Sequence, residues 1–520
     1  MNYAVDKREQ RASLEAIRSI WASRRGARSR TDIAYLVYLV VLSIAVLVIP
    51  VLRAIGMGLA RPDVVPVLLA DAAPRTATAV ALLAAAALLL VGAVRGPALL
   101  APFFTTTLAA GPIRRRAVLW RPFVRSVLVP VTGCATVAAL IGITLLTVGR
   151  TDLQAAAWFL LASVGTGLLL GACWFLGELL RGTPRRILAV VLVLLGVLCA
   201  VVPVPIGPGA AYPLAGGDSA AWAIGLIAIG TLAVAACVPG LDRLRGAVLL
   251  EQAMRWETAS TSAATGDLTA AAGTFRARAS TGRRLPAIGG GPMVLLYTRR
   301  DAVAWLRTPE RSVIGVLGAG LSACALGWGL LGTGPLAWTA IAVGTLGTWA
   351  ASSSFVDGIR HAVHTLGAPA LLGQSAAVQA VLHFLAPTLL LGAMGALGGV
   401  VSLWGTGAAA GSDGGGGTAV PAAVLVPVAL APVLVALRVH AAAKGPLPLH
   451  LATPMPTAQG DLSVFPMLVW QSDAILLALM AGGLLAVGGT MGALWLLLGA
   501  VLLVLGIVLM TRSRFRELRS

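Results

Sequence analysis

Long apolar runs, separated by short polar or basic segments, dominate the chain. Twelve of them lie at residues 33–51, 77–94, 127–148, 155–179, 187–205, 220–238, 313–331, 338–355, 380–402, 419–437, 474–489 and 492–510. Most are long enough to cross roughly 30 Å of hydrocarbon at about 1.5 Å of rise per residue. The pattern predicts an all-α, polytopic membrane protein with about 12 transmembrane helices. Pro421, Pro427 and Pro432 predict a break in the tenth helix.

The basic residues lie almost entirely on one side of this arrangement. Of the 39 Lys and Arg residues, 35 fall in segments that an even number of spans places on the same face as both termini. The exceptions are Arg53, Arg61, Arg75 and Arg150. Lys and Arg stay in the cytoplasm because placing one at the centre of a membrane helix costs about 2.5–3.5 kcal/mol. The charge pattern predicts that both termini and the basic loops are cytoplasmic.

Composition agrees with the membrane interpretation. Hydrophobic residues make up 58% of the chain and charged residues 11%, and the mean hydropathy is +0.90, values typical of a polytopic membrane protein. The net charge of +19 is explained by topology, since basic inner loops meet anionic lipid headgroups. Membrane lipid is therefore an expected partner, and nucleic acid is not.

The order of the runs predicts two halves joined by a polar segment. We divide the chain into a basic, amphipathic cytoplasmic segment (1–31), a first six-helix transmembrane half (32–239), a cytoplasmic linker with a second interfacial helix (240–312), a second six-helix half (313–511) and a basic cytoplasmic tail (512–520).

Two short internal similarities support this division. Leu14, Ile17 and Trp21 recur at helical spacing before the first span, and Trp305 precedes the seventh span, which predicts an interfacial helix in each half. A second similarity follows the second span of each half, where TLAAGP at 107–112 resembles TLGAP at 365–369. The residues of the second copy that we single out are Thr365, Leu366, Ala368 and Pro369.

The residues of known catalytic and nucleotide sites are sparse in this chain. A phosphate-binding loop needs Gly-Lys-Ser/Thr, and the two lysines, Lys7 and Lys444, stand in no such context. We predict that the chain is not an enzyme by itself and holds no catalytic residue, metal or cofactor. Glu178 lies within the fourth run. It is either a group that couples ion movement to transport or, as we prefer, an interfacial residue that snorkels or pairs with a neighbour such as Arg181.

One basic loop resembles a known family. The stretch FFTTTLAAGPIRRRAVLWRPFVRS at 103–126 contains Gly111, Pro112, Ile113, Arg114, Arg115 and Arg116. It is similar to the inner loop of ABC-type-two exporter permeases, in which a small-Pro-x-Arg-Arg pattern follows the second span. The resemblance covers the first half best, because the second half has Leu371, Leu372 and Gly373 where arginines are expected. Size and Ala/Gly/Arg-rich composition resemble fused, actinobacterial-looking permeases of this class.

The resemblance implies a function and a set of partners. In that family the loop forms a coupling helix on an ATPase subunit, and a connecting helix precedes the first span. The chain would then be the permease of an ABC exporter in the bacterial plasma membrane, moving a hydrophobic or amphipathic substrate outward. ATP and Mg would bind two ATPase subunits encoded separately. The alternatives are a 12-helix secondary transporter of the major-facilitator type and a non-transporting membrane scaffold.

Overall fold

The three-dimensional structure is a computed structural model. It describes residues 12, 15, 16, 19, 30–62, 64–109, 114–202, 206–214, 217–264, 271, 273–275, 281, 282, 284–287, 289–364, 373–405, 419–445, 448, 451, 453, 455–457, 460, 461 and 464–517. The chain divides into two compact units, Met1–Thr261 and Ser262–Ser520. The boundary falls inside the segment 240–312.

The first unit is helical throughout its described part. Its helices are α1 (Arg30–Ser43, a π-helical segment Ile44–Val48, then Ile49–Leu59), α2 (Val65–Leu69), α3 (Ala73–Val91), α4 (Pro102–Phe104, continued by the π-helical Thr105–Ala109), α5 (Arg115–Thr147), α6 (Leu153–Leu179), α7 (Thr183–Val201), α8 (Ser219–Gly240) and α9 (Gly246–Ala264). Short 3-10 turns cover Gly207–Ala211 and Leu241–Arg243. The Asp152 side chain begins α6 by accepting a hydrogen bond from the Ala155 amide at 2.7 Å.

The second unit is also helical, with one very short hairpin. Its helices are α10 (Met293–Arg307), α11 (Pro309–Leu331), α12 (Gly334–Ser352), α13 (Asp357–His364), α14 (Ala376–Leu382), α15 (Leu385–Gly405), α16 (Ala419–Ala442), α17 (Val464–Met491) and α18 (Ala493–Glu517). Strands β1 (Pro456–Thr457) and β2 (Gly460–Asp461) pair antiparallel, with Pro456 opposite Asp461. Gly492, at φ +119°, makes the tight turn from α17 into α18.

Eleven helices among the described residues are long and apolar enough to cross a membrane. They are α1, α3, α5, α6, α7, α8, α11, α14 continued by α15, α16, α17 and α18. This confirms a polytopic, all-α protein, and the number differs by one from the expected twelve. The predicted eighth span does fold as the 19-residue α12, but its threonines, glycines and tryptophans lower its hydropathy. The predicted ninth span is interrupted, because His383 and Phe384 form a turn between α14 and α15.

The two units share a scheme of helix packing. To compare them, we number the six long helices of each unit in chain order, and α12 is the second long helix of its unit. In each unit the third helix packs against the fourth, the fourth against the sixth, the second against the fifth and the first against the third. In the first unit these are the pairs α5–α6, α6–α8, α3–α7 and α1–α5. In the second they are α15–α16, α16–α18, α12–α17 and α11–α15.

The fourth helix is the most buried one in each unit. In the most apolar stretch of α6, 61% of the residues are buried, and for α16 the share is 67%, against at most 39% in the other candidate spans. By contrast, no described side chain of α1 is buried. A bilayer would have to cover α1, whereas α6 and α16 are covered by protein.

The tenth predicted span, α16, is one continuous helix through Pro427 and Pro432, so the expected break is wrong. Pro427 has no N–H and leaves the Ala423 carbonyl without its helical donor. Gly399 of α15 lies against this oxygen so closely that a Cβ there would be 2.4 Å from it. Tight packing by glycine encloses the freed carbonyl, so the neighbouring helix covers the position where the helical hydrogen bond is missing.

Candidate functional site

The helix ends that the charge pattern predicts to be cytoplasmic are called inner ends below. They lie near residues 31, 91, 115, 179, 183 and 240 in the first unit and near 309, 352, 376, 442, 464 and 517 in the second. In each unit, bonds between distant parts of the chain connect these ends. The residues that the sequence singled out lie here, together with several that it did not reveal.

The arginine motif is described from Arg114 onward, and Gly111, Pro112 and Ile113 lie outside the described residues. Arg114 directly precedes α5 and is exposed. No ion pair or hydrogen bond of its side chain is found among the described residues. Within the described residues, Arg114 therefore differs from Arg115 and Arg116, whose side chains bind other parts of the unit.

Arg115 and Arg116 bind their own unit. The Arg115 Nε donates to the Ala109 carbonyl at 2.9 Å, and its Nη1 donates to the Leu244 carbonyl. The Arg116 amide donates to Asp242 Oδ1 at 2.9 Å, and its Nε lies 3.4 Å from Asp242 Oδ2. These bonds fasten the loop that follows the second span to the turn that follows the sixth.

An apolar cluster lies next to the bonds of Arg115 and Arg116. Phe123 of α5 and Phe175 of α6 are fully buried and meet edge to face at 5.4 Å between ring centroids. Leu119, Leu241 and Leu249 belong to the same cluster. The inner part of α5 is therefore packed against α6, α8 and α9, and a force applied to its first turn reaches the spans through close contacts.

A buried glutamine connects α9 to the end of α3. The Gln252 Oε1 accepts from the Gly96 amide at 3.3 Å, and its Nε2 donates to the Ala93 carbonyl at 3.3 Å. Both ends of this amide are satisfied by backbone groups that have no helical partners. The polar segment after the sixth span is thereby held to the segment after the second.

Glu178 is 5% exposed, near the inner end of α6. Among the described residues, neither carboxylate oxygen has a hydrogen-bond partner of ordinary geometry, although the Ala98 backbone faces the carboxylate. No ion pair with Arg181 is found among the described residues. The carboxylate occupies the space beside Gly96, where a Cβ would lie 1.8 Å from its Cδ. Arg181, Arg243 and Arg245 line a polar cavity of about 270 Å³ next to it.

The second sequence similarity lies outside the described residues at Thr365, Leu366, Ala368 and Pro369. The helix before it, α13, is described and is firmly packed. Val356 and Ile359 are fully buried, and Arg311 of α11 forms an ion pair with Asp357 and donates to the Ser353 carbonyl. The segment after the second long helix is thus fastened to its own unit here too, without an arginine triplet.

Trp305 lies in α10, the predicted second interfacial helix, whereas Leu14, Ile17 and Trp21 of the first lie outside the described residues. The Trp305 Nε1 donates to the Phe355 carbonyl at 3.3 Å, and the two rings meet edge to face at 5.3 Å. Ser312 Oγ donates to the Trp305 carbonyl at 2.8 Å. Trp305 therefore joins α10 to α11 and to the segment leading into α13.

A buried ionisable pair lies next to this junction. His383 Nδ1 is 2.8 Å from the carboxylate of Asp301, and the Tyr297 ring packs edge to face on His383 at 4.8 Å. Burial raises the pKa of Asp301 above its ordinary value. A Cβ on Gly358 would lie 2.4 Å from His383 Nδ1, so α13 fits here only with glycine. This pair binds α10 to the turn between α14 and α15, and α13 packs over it.

Arg438 of α16 is another residue that the sequence did not reveal. It is 8% exposed. Its Nε donates to Ser352 Oγ at 2.9 Å, its Nη2 donates to the Trp349 carbonyl, and its guanidinium lies 3.6 Å from the Trp349 ring centroid. Carbonyls at a helix C-terminus lack helical donors. Arg438 therefore caps the inner end of α12.

Asp473 organises the remaining inner ends of the second unit. Lys444 Nζ lies 2.7 Å from its Oδ1, and Arg514 binds its Oδ2. Arg514 Nη1 also donates to the His440 carbonyl at 3.0 Å. The ends of α16, α17 and α18 are thus joined by a charged network.

The polar side chains in these contacts bind backbone groups, helix ends and one another. Within the described residues, no group of three or more His, Cys, Asp or Glu is placed to hold a metal ion. Protein-family models, curated proteins and solved structures include none that matches this chain.

Proposed function

We propose that the chain is the membrane permease of an ABC exporter in the bacterial plasma membrane. It moves a hydrophobic or amphipathic substrate outward, and two ATPase subunits, encoded separately, bind ATP and Mg. Their docking sites are the loop at 111–116 in the first half and the segment at 365–369 in the second. Both termini lie in the cytoplasm.

One observation carries this proposal. In each unit, the segment that follows the second long helix is joined by specific bonds to other inner ends of the same unit, through Arg115 and Asp242 in the first and through Asp357 and Arg311 in the second. A partner that displaces such a segment displaces the helices joined to it. Mechanical drive from outside the membrane requires a connection of this kind.

The twelfth span of this proposal is α12. Its 19 residues extend over about 28 Å at 1.5 Å per residue, close to the thickness of the hydrocarbon. It packs along α11 and α17, which cover part of its less apolar surface. With α12 included, the number of spans is even, and 35 of the 39 Lys and Arg residues fall on the inner side.

ATP binding would bring the two ATPase subunits together and shift the docking segments. In the first half the displacement would pass through Arg115 to the α8–α9 turn, and in the second through Arg311 to α11. The two halves would then open a central path alternately to each side of the membrane. No proton or sodium site takes part in this mechanism, because the energy enters at the docking segments.

The docking claim is tested by Arg114→Glu, which reverses the charge of an exposed residue that has no recorded structural role. We expect the variant to fold normally and to lose co-purification with its partner ATPase, together with substrate-stimulated ATP hydrolysis. The matched control is Arg125→Glu, an exposed arginine on the same helix, which should leave the complex intact.

Two outcomes contradict the proposal. An intact and fully active complex in Arg114→Glu would remove the docking role of the loop. Uptake into vesicles that is driven by a proton gradient, without any ATPase, would favour a secondary transporter instead.

A further inference from the structure

A groove of about 610 Å³ opens at the inner ends of α14, α16 and α18 in the second unit. Its walls are mostly apolar. Ala377 and Phe384 lie on one side, Val439 lies on α16, and Val504 and Val508 belong to α18. This volume is within the range of roughly 300–1,000 Å³ that is usual for ligand sites. The groove can hold an apolar chain of considerable length.

The rim of the groove is basic. Arg512 and Arg516 are one helical turn apart on α18, both line the groove and both are exposed. Arg514, between them, points to the other side of the helix and binds Asp473. Among the described residues, no acidic side chain lines the groove, and no ion pair of Arg512 or Arg516 is found there. The two guanidinium groups form a site for an anion at the end of an apolar trough.

Neither a purely apolar ligand nor a soluble anion suits this combination. An apolar ligand would leave two arginines without a counter-charge, and a small anion would leave the apolar walls uncovered. An acidic phospholipid satisfies both parts, because basic sites beside the cytoplasmic ends of transmembrane helices attract anionic headgroups. Arg512 also lies about one turn beyond Val508, close enough for one molecule to touch both.

We propose that this groove binds one acidic phospholipid, with an acyl chain between α14 and α18 and the phosphate on Arg512 and Arg516. The bound chain would fill the space between α14 and α18 and hold them together. Its assignment to the inner leaflet rests on the orientation proposed above. The binding itself does not depend on transport or on an ATPase.

The test uses the full chain in detergent, incubated with equal amounts of phosphatidylglycerol and phosphatidylcholine of identical acyl chains, and native mass spectrometry counts the retained lipids. We expect phosphatidylglycerol to be retained preferentially. Each basic residue contributes a similar increment to anionic lipid binding, so the Arg512→Gln/Arg516→Gln variant should bind it roughly 30-fold more weakly. The Arg121→Gln/Arg125→Gln variant removes an exposed pair of the same spacing from α5 and should behave as wild type.

A second variant separates the groove from general surface charge. Ala377→Trp fills the groove and keeps both arginines, and it should lose phosphatidylglycerol. Unchanged phosphatidylglycerol binding in this variant or in the double glutamine variant would overturn the proposal. Displacement of the lipid by glycerol phosphate at comparable concentration would overturn it as well, because it would show a simple anion site.

Discussion

The central helices of the two units, α6 and α16, are alike in position and opposite in charge. Each is the fourth long helix of its unit and the most buried, and each carries a buried charged residue toward its inner end, followed in α16 by the buried His440. In α6 this charged residue is Glu178, whose carboxylate makes no ordinary hydrogen bond to the described residues. In α16 it is Arg438, which binds Ser352 and Trp349. With the same helix packing, the buried charge of the second unit therefore has hydrogen-bond partners, whereas that of the first unit has none of ordinary geometry among the described residues.

This difference separates a structural from a functional role. A buried charge with good partners contributes to stability, whereas one without them costs free energy that selection tolerates where the charge has a use. Arg438 is the structural case, because it caps α12. Glu178, beside a cavity lined by three arginines, is the better candidate for a group that takes part in the transport cycle proposed above.

The largest effect is expected from removing the Arg438 guanidinium. Arg438→Met leaves the Trp349 carbonyl and the Ser352 hydroxyl without their donor, and should lower the free energy of unfolding by about 2–4 kcal/mol. Denaturant titration in detergent measures this, and labelling of Cys324, the single cysteine of the second unit, locates it. Arg438→Lys should recover part of the loss, and a wild-type midpoint in Arg438→Met would contradict the capping role.

The second largest loss of stability is expected from adding a methyl group to a glycine at a close helix contact. A Cβ at Gly177 would lie 2.0 Å from the Leu89 carbonyl oxygen, and a Cβ at Gly399 would lie 2.4 Å from that of Ala423. Gly177→Ala and Gly399→Ala should each cost about 1–3 kcal/mol by forcing two backbones apart. Hydrogen exchange should show the loosening in the mutated unit alone.

Matched alanine substitutions serve as controls for these two. Gly133 of α5 and Gly392 of α15 have open space where a Cβ would be placed. Gly133→Ala and Gly392→Ala should therefore leave stability unchanged or raise it slightly, because alanine favours the helix. Equal losses in the four variants would mean that glycine is required for flexibility rather than for close approach.

The pH dependence of stability should differ between the units. The second unit contains the buried Asp301–His383 pair, whereas the buried side chain that holds α9 in the first unit is the neutral Gln252. Burial raises the pKa of Asp301, so the folded state holds its proton more tightly than the unfolded state. The stability that protonated Asp301 contributes is fully present below the unfolded-state pKa of about 3.9. This contribution is lost as pH rises through the raised pKa of Asp301 in the folded state.

Asp301→Asn removes that titration and should flatten the decrease in unfolding midpoint with rising pH. The slope for a single group cannot exceed about 1.4 kcal/mol per pH unit. Arg300 and Asp357 also act on this carboxyl and stay in the variant. An unchanged pH profile would show that Asp301 is not the group responsible.

Glu178→Gln should change stability by a smaller amount and should raise it, whereas the substitutions of Arg438 and of the two closely packed glycines lower it. The amide keeps the shape of the side chain and removes the cost of a buried carboxylate without partners, so stability should rise by up to about 1 kcal/mol. If Glu178 acts in the cycle, the same variant will lose substrate-stimulated ATP hydrolysis while it gains stability. A loss of stability would instead reveal a partner that binds the carboxylate.

Arg116→Ala should give the smallest effect. The pair of Arg116 with Asp242 is well exposed, with side chains 43% and 37% accessible, and such pairs contribute about 0.2–1 kcal/mol. We expect a change near the lower value in thermal unfolding, and one that disappears at high salt. A large loss would mean that the Arg116 bond, rather than that of Arg115, fastens the loop.

Parts of the fold were predictable from local information. The positions of the long helices follow from apolar runs, and the position of α10 follows from the amphipathic stretch around Trp305. The continuity of α16 was not predictable. Proline favours a helix break, and the Gly399 contact that encloses the freed carbonyl comes from a helix that the proline-containing segment does not identify.

The candidate site shows the same limit. The arginines at 114–116 stood out as a motif. Which of them bind their own unit depends on the partners Ala109, Asp242 and Leu244, and the last two are far away in the chain. The pairing of Asp301 with His383 spans 82 residues. Single aspartates and histidines beside apolar runs carry no signal that would identify their partners.

Apolar periodicity and length determine by themselves that this chain forms many long helices, and the one-sided arginines determine the orientation to be expected, because bilayer insertion depends mainly on composition. Which charges are satisfied was decided only by tertiary structure. Glu178 and Arg438 look alike in sequence, as charged residues near the ends of apolar runs. They differ because helix packing places the end of α12 beside Arg438, where it accepts hydrogen bonds, and places Gly96 and a cavity lined by three arginines beside Glu178.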